Sequence, residues 1–253
     1  METEITRLDN YNLDNSLYKA IKYMTKDKKY FIKKYYVYQD TKIIIENELK
    51  SENFKHPNLI NLVKSVRNNR YIYLYYKYYD LPDLIDFYDK YSYAGNQLYF
   101  FNKRIIKQLL SAIKEMHDNN IVHRDIKPDN ILYDEKNNQV YLCDFEYSSD
   151  YKDITSKTRK VGTPKYFPPE FLDINETNYK KIDYKKVDIW NLGIIFFIIL
   201  SKGEFVELKY LINDRLVQKY LYQNDFNFIK NSLNEDPSNR LNTSELLELE
   251  YLK

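Results

Sequence analysis

The chain has 253 residues, of which 43% are hydrophobic and 30% charged, and this composition predicts a folded globular protein rather than a disordered one. Its 39 Lys and Arg against 37 Asp and Glu leave a net charge of +2. That balance argues against a dedicated nucleic-acid binder, because such proteins usually carry a strong basic excess. A one-sided basic patch is the feature that would indicate nucleic-acid binding instead.

Cysteine content and hydropathy indicate where the protein resides. The single cysteine, Cys143, excludes an internal disulfide and suits a reducing compartment, so we expect an intracellular, cytoplasmic protein. The longest apolar run, Leu192–Leu200, is nine residues long, whereas a membrane helix needs roughly 20. The acidic, polar start predicts no signal peptide. We therefore expect no membrane association.

Short runs rich in Tyr, Ile and Val dominate the first third of the chain and predict β-strands. These runs are Tyr30–Tyr38, Leu62–Val66 and Tyr71–Tyr79. Between the first two, Thr41–Phe54 has apolar residues at helical spacing and predicts a helix. His56-Pro57 follows it and should end it, because the residue before a proline disfavours helix.

After about Asp80 the pattern is mostly helical. Lys103–His117 predicts an amphipathic helix, and Val187–Leu200 predicts a buried one. Between them lie two predicted strands that turn at Asn137-Asn138, namely Ile131–Tyr133 and Val140–Cys143. The polar stretch Glu146–Lys160 lacks periodicity. We therefore expect an α+β fold with a small β-rich lobe at residues 1–79 and a larger helical lobe at residues 80–253.

Four polar side chains near the predicted hairpin suit phosphoryl transfer. Asp125 could accept a hydroxyl proton, and Lys127 could neutralise a transferring phosphoryl group. Asn130 and Asp144 could hold Mg²⁺ through oxygen ligands. A polar loop rich in helix caps would explain any two of these residues, but not all four at this spacing.

The segment around Asp125 resembles the catalytic loop of the eukaryotic-type protein kinases. Three later segments are similar to the end of the family's activation segment, its buried central helix and its terminal arginine motif. The four matching segments are His123–Asn130, Gly162–Glu170, Asp188–Gly193 and Asp236–Arg240. The last of them implies an ion pair between Glu170 and Arg240.

The resemblance implies a two-lobed fold with ATP between the lobes, and an enzyme that transfers the γ-phosphoryl group to a protein substrate. Lys127 and Thr163 resemble the serine/threonine branch of the family. Asp125 would be the base, and Asn130 with Asp144 would hold Mg²⁺. Control would come from a regulatory protein partner or from the activation segment, in which Thr158 is the predicted phosphosite, with Thr155 and Ser156 as alternatives. Arg124, next to Asp125 in the sequence, would supply the cation that meets that phosphate.

Further ATP contacts are implied by weaker matches. Tyr30–Lys33 resembles the strand that carries the phosphate-binding lysine, so Lys33 is the candidate, with Lys34 as its competitor and Phe31 on the same face. The helical partner of Lys33 is predicted to be Glu46, with Glu48 as the alternative. The other positions implied are the gatekeeper Tyr76, the hinge Lys77–Tyr79 and the floor of the adenine pocket, Leu132.

The glycine-rich loop of the family is where this chain departs from the pattern. Its three glycines are replaced by asparagines, which tolerate φ > 0 but would crowd the phosphates. The residues that this register assigns to ATP are Leu8, Asn10, Asn12, Asn15 and Leu17. A second departure places Glu146 where the family has glycine after Asp144-Phe145. Both departures motivate the alternative of a pseudokinase, a binding module with weak or no turnover.

Overall fold

The computed structural model describes residues 5–7, 20–39, 41–90, 96–155, 157–200 and 223–252. The predicted ATP contacts Leu8, Asn10, Asn12, Asn15 and Leu17, and the alternative phosphosite Ser156, lie outside these residues. The chain forms two compact units. The first contains the described residues up to Asp80 together with Cys143–Tyr147, and the second contains those of Leu81–Leu142 and those from Ser148 onward.

The division differs from the predicted boundary at Asp80, which joins the first unit, and at one longer segment. A boundary after residue 79 leaves Cys143–Tyr147 in the larger lobe, whereas in the structure these five residues pack with the first unit. The buried ring of Phe145 explains the difference, because it packs edge-on against the buried ring of Phe54 with centroids 5.0 Å apart.

The first unit is built on a five-stranded antiparallel sheet in the order β1-β2-β3-β5-β4. Its strands are β1 (Ile5–Arg7), β2 (Ile21–Thr25), β3 (Tyr30–Tyr36), β4 (Leu62–Arg67) and β5 (Tyr71–Lys77). Strands β3 and β5 each end two residues before the predicted Tyr38 and Tyr79. Beyond β3, the Thr41 hydroxyl donates to the Tyr36 carbonyl at 2.6 Å and accepts from the Tyr38 amide at 3.0 Å, which turns the chain into a helix.

Helix α1 (Lys42–Lys50) packs with this sheet and is shorter than predicted. After Lys50 the chain tightens into a 3₁₀ turn at Ser51–Asn53. The Ser51 hydroxyl donates to the Glu48 carbonyl at 2.7 Å and so competes with the helical hydrogen bonds. The predicted helix is therefore present, but its last turn is not α-helical.

The second unit is mainly helical in its described residues. Its helices are α2 (Leu84–Lys90), α3 (Asn96–Asp118), α4 (Tyr184–Leu200), α5 (Gln223–Ser232) and α6 (Thr243–Leu247). The predicted apolar face of α3 is buried and forms the core with α4, which is apolar nearly all round. Helix α5 lies close to Gly193 of α4, since a Cβ there would come within 2.6 Å of Ser232 Oγ. None of the described helices combines the length and apolarity that crossing a bilayer requires.

Two small antiparallel ladders complete the second unit. Strands β7 (Ile131–Asp134) and β8 (Gln139–Leu142) form the predicted hairpin, with Asn138 at φ +53° in its turn. Strand β6 (Ile121–Val122) pairs with β9 (Ser149–Asp150). Strand β9 lies in the polar stretch for which no structure was predicted, because its pairing depends on a distant partner rather than on its own pattern.

Candidate functional site

Lys33 is the centre of a buried ionic cluster in the first unit. It lies on β3 and is 4% exposed. Its ammonium forms ion pairs with Glu48 and with Asp144, whose Oδ1 is 2.6 Å away. Burial disfavours the charged ammonium, but the attraction of Asp144 and Glu48 outweighs it and holds the pKa of Lys33 well above its ordinary value. Lys33 is therefore a fixed cation at neutral pH.

Glu48, and not Glu46, is the helical partner of Lys33, so the preferred expectation was wrong and its alternative holds. The Glu48 side chain is fully buried and also accepts hydrogen bonds from the hydroxyls of Tyr35 and Tyr76. The Glu46 side chain is 55% exposed and lies 3.8 Å from Lys42. The reason is helical geometry: two positions along a helix turn a side chain by about 200°, so only one of the two carboxylates can face the sheet.

Three carboxylates converge beside Lys33. Oxygens of Glu48, Asp144 and Glu146 all lie within 4.8 Å of one another. Burial, and then the neighbouring Asp144 carboxylate, raise the pKa of Glu146 to about 7. Carboxylate oxygens are the donors that Mg²⁺ prefers, so the donor set around Asp144 fits such an ion. The Glu146 side chain adds negative charge at a position where a glycine would add none.

The remaining predicted ATP contacts of the first unit lie on or next to the sheet. Phe31 pairs with Tyr76 across β3 and β5, which puts both side chains on the same face as Lys33. Tyr76 is buried and Tyr79, just beyond β5, is half-buried. Burial raises the pKa of both phenols, so they are neutral hydrogen-bonding groups.

Asp125 is the centre of a second cluster, in the second unit. The Thr163 hydroxyl donates to Asp125 Oδ1 at 2.7 Å. Lys127 Nζ lies 2.9 Å from Thr163 Oγ1 and 3.0 Å from Asp125 Oδ2. Asn130 Nδ2 donates to the Asp125 carbonyl at 2.9 Å and to Oδ2 at 3.1 Å. The structure thus brings together a carboxylate, a cation, an amide and an alcohol.

A buried aspartate holds the loop that carries Asp125. Asp188 of α4 is fully buried and accepts from the backbone amides of His123 and Arg124, each at 2.8 Å. Its Oδ2 is also 2.9 Å from His117 Nε2. Sequence reasoning placed Asp188 in a helix without this role. The available signal was its apolar surroundings, because a buried carboxylate needs polar partners.

Gly162 brings the chain that precedes Thr163 against the same loop. Its φ is +103°, and a Cβ at this position would lie 2.3 Å from the Arg124 carbonyl oxygen. Only glycine fits such an approach. The close contact places Thr163, one residue later, beside Asp125.

Arg124 contacts the backbone of the predicted phosphosite. Its Nη1 donates to the Thr158 carbonyl at 2.8 Å. Burial lowers the pKa of Arg124 to about 10, which still leaves it charged at neutral pH. The Thr158 hydroxyl accepts from the Thr155 amide at 3.0 Å. Phosphorylation of Thr158 stays a prediction.

Leu132, the predicted floor of the adenine pocket, lies on β7 opposite Tyr141 and is half-buried. It forms an isolated bridge with Asp83 within the second unit. The described residues thus group the predicted site into two sets. Lys33 and Asp144 are together in the first unit, and Asp125, Lys127 and Asn130 are together in the second.

Known proteins that are similar to this chain indicate its family. A family model described as a protein kinase domain matches residues 9–252. "Putative serine/threonine-protein kinase R436" of Acanthamoeba polyphaga mimivirus is 38% identical over 154 residues, which cover 56% of this chain and 53% of that protein. Serine/threonine-protein kinase SCH9 of Saccharomyces cerevisiae is 37% identical over 153 residues, which cover 55% of this chain and 17% of that protein. This chain thus spans about half the length of the first relative and about a sixth of the second.

Among solved structures, the crystal structure of Rad53 1–466 in complex with AMP-PNP is similar to this chain with a TM-score of 0.72 at 21% sequence identity. The match covers 98% of this chain and 65% of that one. The likeness confirms the predicted α+β class, with an antiparallel sheet first and a helical part after it.

Proposed function

Because this chain belongs to the protein kinase family, we propose that it is an active serine/threonine protein kinase that transfers the γ-phosphoryl group of ATP to a hydroxyl of a protein substrate. Its two named relatives are serine/threonine kinases by description. A cytoplasmic location and a regulatory protein partner stay predictions from the sequence.

One observation carries the proposal: Asp125 accepts a hydrogen bond from the hydroxyl of Thr163 at 2.7 Å, with the Lys127 ammonium beside both. A carboxylate within hydrogen-bond distance of an alcohol is positioned to take its proton. The Lys127 ammonium supplies positive charge where a transferring phosphoryl group develops negative charge. The loop therefore offers a base and an electrostatic stabiliser for attack by a substrate hydroxyl.

The other predicted residues receive supporting roles. Lys33, fixed as a cation by Glu48, would contact the α- and β-phosphates of ATP. Asn130 and Asp144 would hold Mg²⁺ through an amide and a carboxylate oxygen. When bound, the ion would neutralise charge on the phosphates. AMP-PNP is the ligand of the Rad53 structure and supports the choice of ATP.

The test is phosphate transfer from ATP to a generic protein substrate in the presence of Mg²⁺, comparing the parent with Asp125→Asn. We expect the rate to fall by about 10²–10⁴-fold, because the base is lost, while nucleotide affinity and the melting curve stay unchanged. The matched control is Asp118→Asn on α3, whose carboxylate is 58% exposed, and it should keep parental activity. Activity of Asp125→Asn within a few-fold of the parent would show that Asp125 is not the base.

A pseudokinase is the second candidate, and Glu146 is the observation that favours it. Its carboxylate lies within the cluster that contains Asp144. A second negative charge at this point could hold a metal in an unproductive geometry. The same assay separates the two functions, since a pseudokinase would bind nucleotide or partner while the parent and Asp125→Asn are equally inactive.

A further inference from the structure

The face of the sheet opposite Lys33 is lined with tyrosines and lysines. Residues paired across strands point to the same side, and β3 and β5 pair Lys34 with Tyr73 and Ile32 with Tyr75. Strand β4 adds Lys64 opposite Tyr75. We call this surface the Tyr–Lys face and define it by Tyr30, Lys34, Lys64, Tyr71, Tyr73 and Tyr75. All six side chains are exposed or half-buried, whereas Ile32 between them is buried.

The charge on this face of the sheet is positive. Strands β2 to β5 contain no Asp or Glu. Of their six basic residues, Lys34, Lys64 and Lys77 lie on the Tyr–Lys face, whereas Lys22, Lys33 and Arg67 lie on the opposite face. The net charge of +2 for the whole chain therefore conceals a local excess of positive charge. A basic patch confined to one face is the electrostatic feature expected of a nucleic-acid-binding surface.

The two central lysines have aromatic partners. Lys34 Nζ lies 3.9 Å from the ring centroid of Tyr71 and 5.6 Å from that of Tyr73. Lys64 Nζ lies 4.6 Å from the centroid of Tyr75 and 5.3 Å from that of Tyr30. Among the described residues, neither lysine forms an ion pair with a carboxylate. Their charge is not neutralised by a described acidic neighbour and is available to an anionic ligand.

The tyrosine rings form a row. Tyr71, Tyr73 and Tyr75 alternate along β5, a spacing of about 6.6 Å along an extended strand, and the rings of the first two have centroids 6.3 Å apart. The ring of Tyr30 stands edge-on to that of Tyr75 at 5.8 Å. A row of aromatic rings with ammonium groups between them matches a chain whose flat bases alternate with phosphates.

We propose that the Tyr–Lys face binds single-stranded nucleic acid without sequence preference, with bases stacked on the tyrosines and phosphates paired with Lys34 and Lys64. Aromatic side chains on a β-sheet are a recurrent platform for unpaired bases, and basic grooves follow the backbone. An acidic peptide would use the lysines but not the row of rings. Stacking of bases on the tyrosine rings is the contact that distinguishes single-stranded nucleic acid from other anionic ligands.

The test is fluorescence anisotropy of labelled 20-nucleotide single-stranded DNA and RNA of mixed sequence, titrated with the full chain over a salt series with AMP-PNP and Mg²⁺ at saturation. Saturating AMP-PNP occupies the proposed ATP site, so the oligonucleotide cannot bind there in place of ATP. Lys34→Gln/Lys64→Gln should reduce the salt dependence, by about 0.7 in the slope of log Kobs against log salt concentration for each lysine. Tyr73→Leu should weaken binding at least fivefold, whereas Tyr73→Phe should not, because phenylalanine keeps the ring.

The matched control is Lys180→Gln/Lys181→Gln, which removes two exposed lysines of the second unit and should leave affinity and salt slope at parental values. Melting curves of all variants should match the parent. Equal weakening by the control pair would show non-specific attraction and overturn the proposal. Absence of binding, or tighter binding to poly-glutamate or to phosphatidylserine vesicles than to the oligonucleotides, would overturn it as well. Kinase activity is a separate readout, so its loss leaves this test intact.

Discussion

Arg240 and Glu170 form a two-point ion pair, in which Nη1 lies 2.7 Å from Oε1 and Nη2 lies 2.7 Å from Oε2. Arg240 is 1% exposed, and its guanidinium lies 4.7 Å from the centroid of the Trp190 ring. It also donates through Nε to the Asn234 carbonyl at 2.7 Å. The pair implied by the kinase resemblance is confirmed, and it ties the segment that follows Thr163 to the region beyond α5.

Glu170→Gln should destabilise the second unit strongly. The substitution leaves the buried Arg240 guanidinium without its counter-ion, and breaking a buried pair in this way costs roughly 3–5 kcal/mol. The measurement is the free energy of unfolding in denaturant, with Glu176→Gln as the matched control. The Glu176 side chain is 77% exposed and 3.9 Å from Arg159, so its loss should change stability by less than about 1 kcal/mol. Equal stability of the two variants would contradict the prediction.

Glu48→Gln should impair catalysis, whereas Glu46→Gln should not. Without the Glu48 carboxylate, Lys33 retains its ion pair with Asp144. Its ammonium can then turn toward Asp144 and away from the phosphates. We expect at least a tenfold fall in kcat/KM for ATP, equivalent to about 1.4 kcal/mol of transition-state stabilisation. Steady-state kinetics of both variants decide the point. Identical kinetics would mean that the buried pair with Lys33 serves the fold alone.

Glu146 should make stability depend on pH. Its folded pKa of about 7 lies above the ordinary value of 4.5, so the folded state binds more protons than the unfolded state between these values. Stability must then fall as pH rises from about 4.5 to about 7, by at most about 3 kcal/mol, and stay level above that range. Glu146→Gln should remove this loss.

Denaturant unfolding at pH 5 and pH 8 measures the effect. Relative to the parent, Glu146→Gln should have a larger free energy of unfolding at pH 8 than at pH 5. Glu52→Gln is the control, because Glu52 is exposed in the same unit. If the variant and the parent differ in free energy of unfolding by the same amount at both pH values, the Glu146 carboxyl does not titrate in this range.

Cys143 should be slow to react in the folded protein. Burial, and then the adjacent Asp144, raise the pKa of its thiol to about 12 from an ordinary 9.0. At pH 8 the thiolate fraction is therefore about 10³-fold lower than for an unperturbed thiol, and the alkylation rate should rise about tenfold per pH unit. Because the chain has one cysteine, iodoacetamide labelling followed by mass spectrometry reports on this residue alone. Native labelling as fast as in denaturant would refute the expectation.

Local patterns predicted the elements whose structure depends on neighbours in sequence. The apolar spacing in Lys103–His117 marked the buried face of α3, and the strand runs marked β3 and β5 to within two residues. Features that depend on distant partners were missed. Strand β9 exists through pairing with β6, and Phe145 packs on Phe54, some 90 positions earlier in the chain.

The predicted site shows the same division. Motif spacing identified Asp125, Lys127 and Asn130, which the structure brings together within one short loop. Spacing could not choose between Glu46 and Glu48, because the choice depends on how α1 is rotated against the sheet. Overall charge gave no sign of the Tyr–Lys face, since strand pairing is what collects its lysines on one side.

The placement of Cys143–Tyr147 has a consequence for dissecting this protein. The polypeptide passes between the units after Asp80, after Leu142 and after Tyr147. A single protease cut after Asp80 therefore cannot release the first unit whole, since its remaining strip of five residues stays covalently within the other fragment. A fragment that ends at Asp80 would carry Lys33 without Asp144 and Phe54 without Phe145. To reconstitute the first unit from separate pieces, Cys143–Tyr147 would have to be added as a peptide or fused to the fragment through a linker.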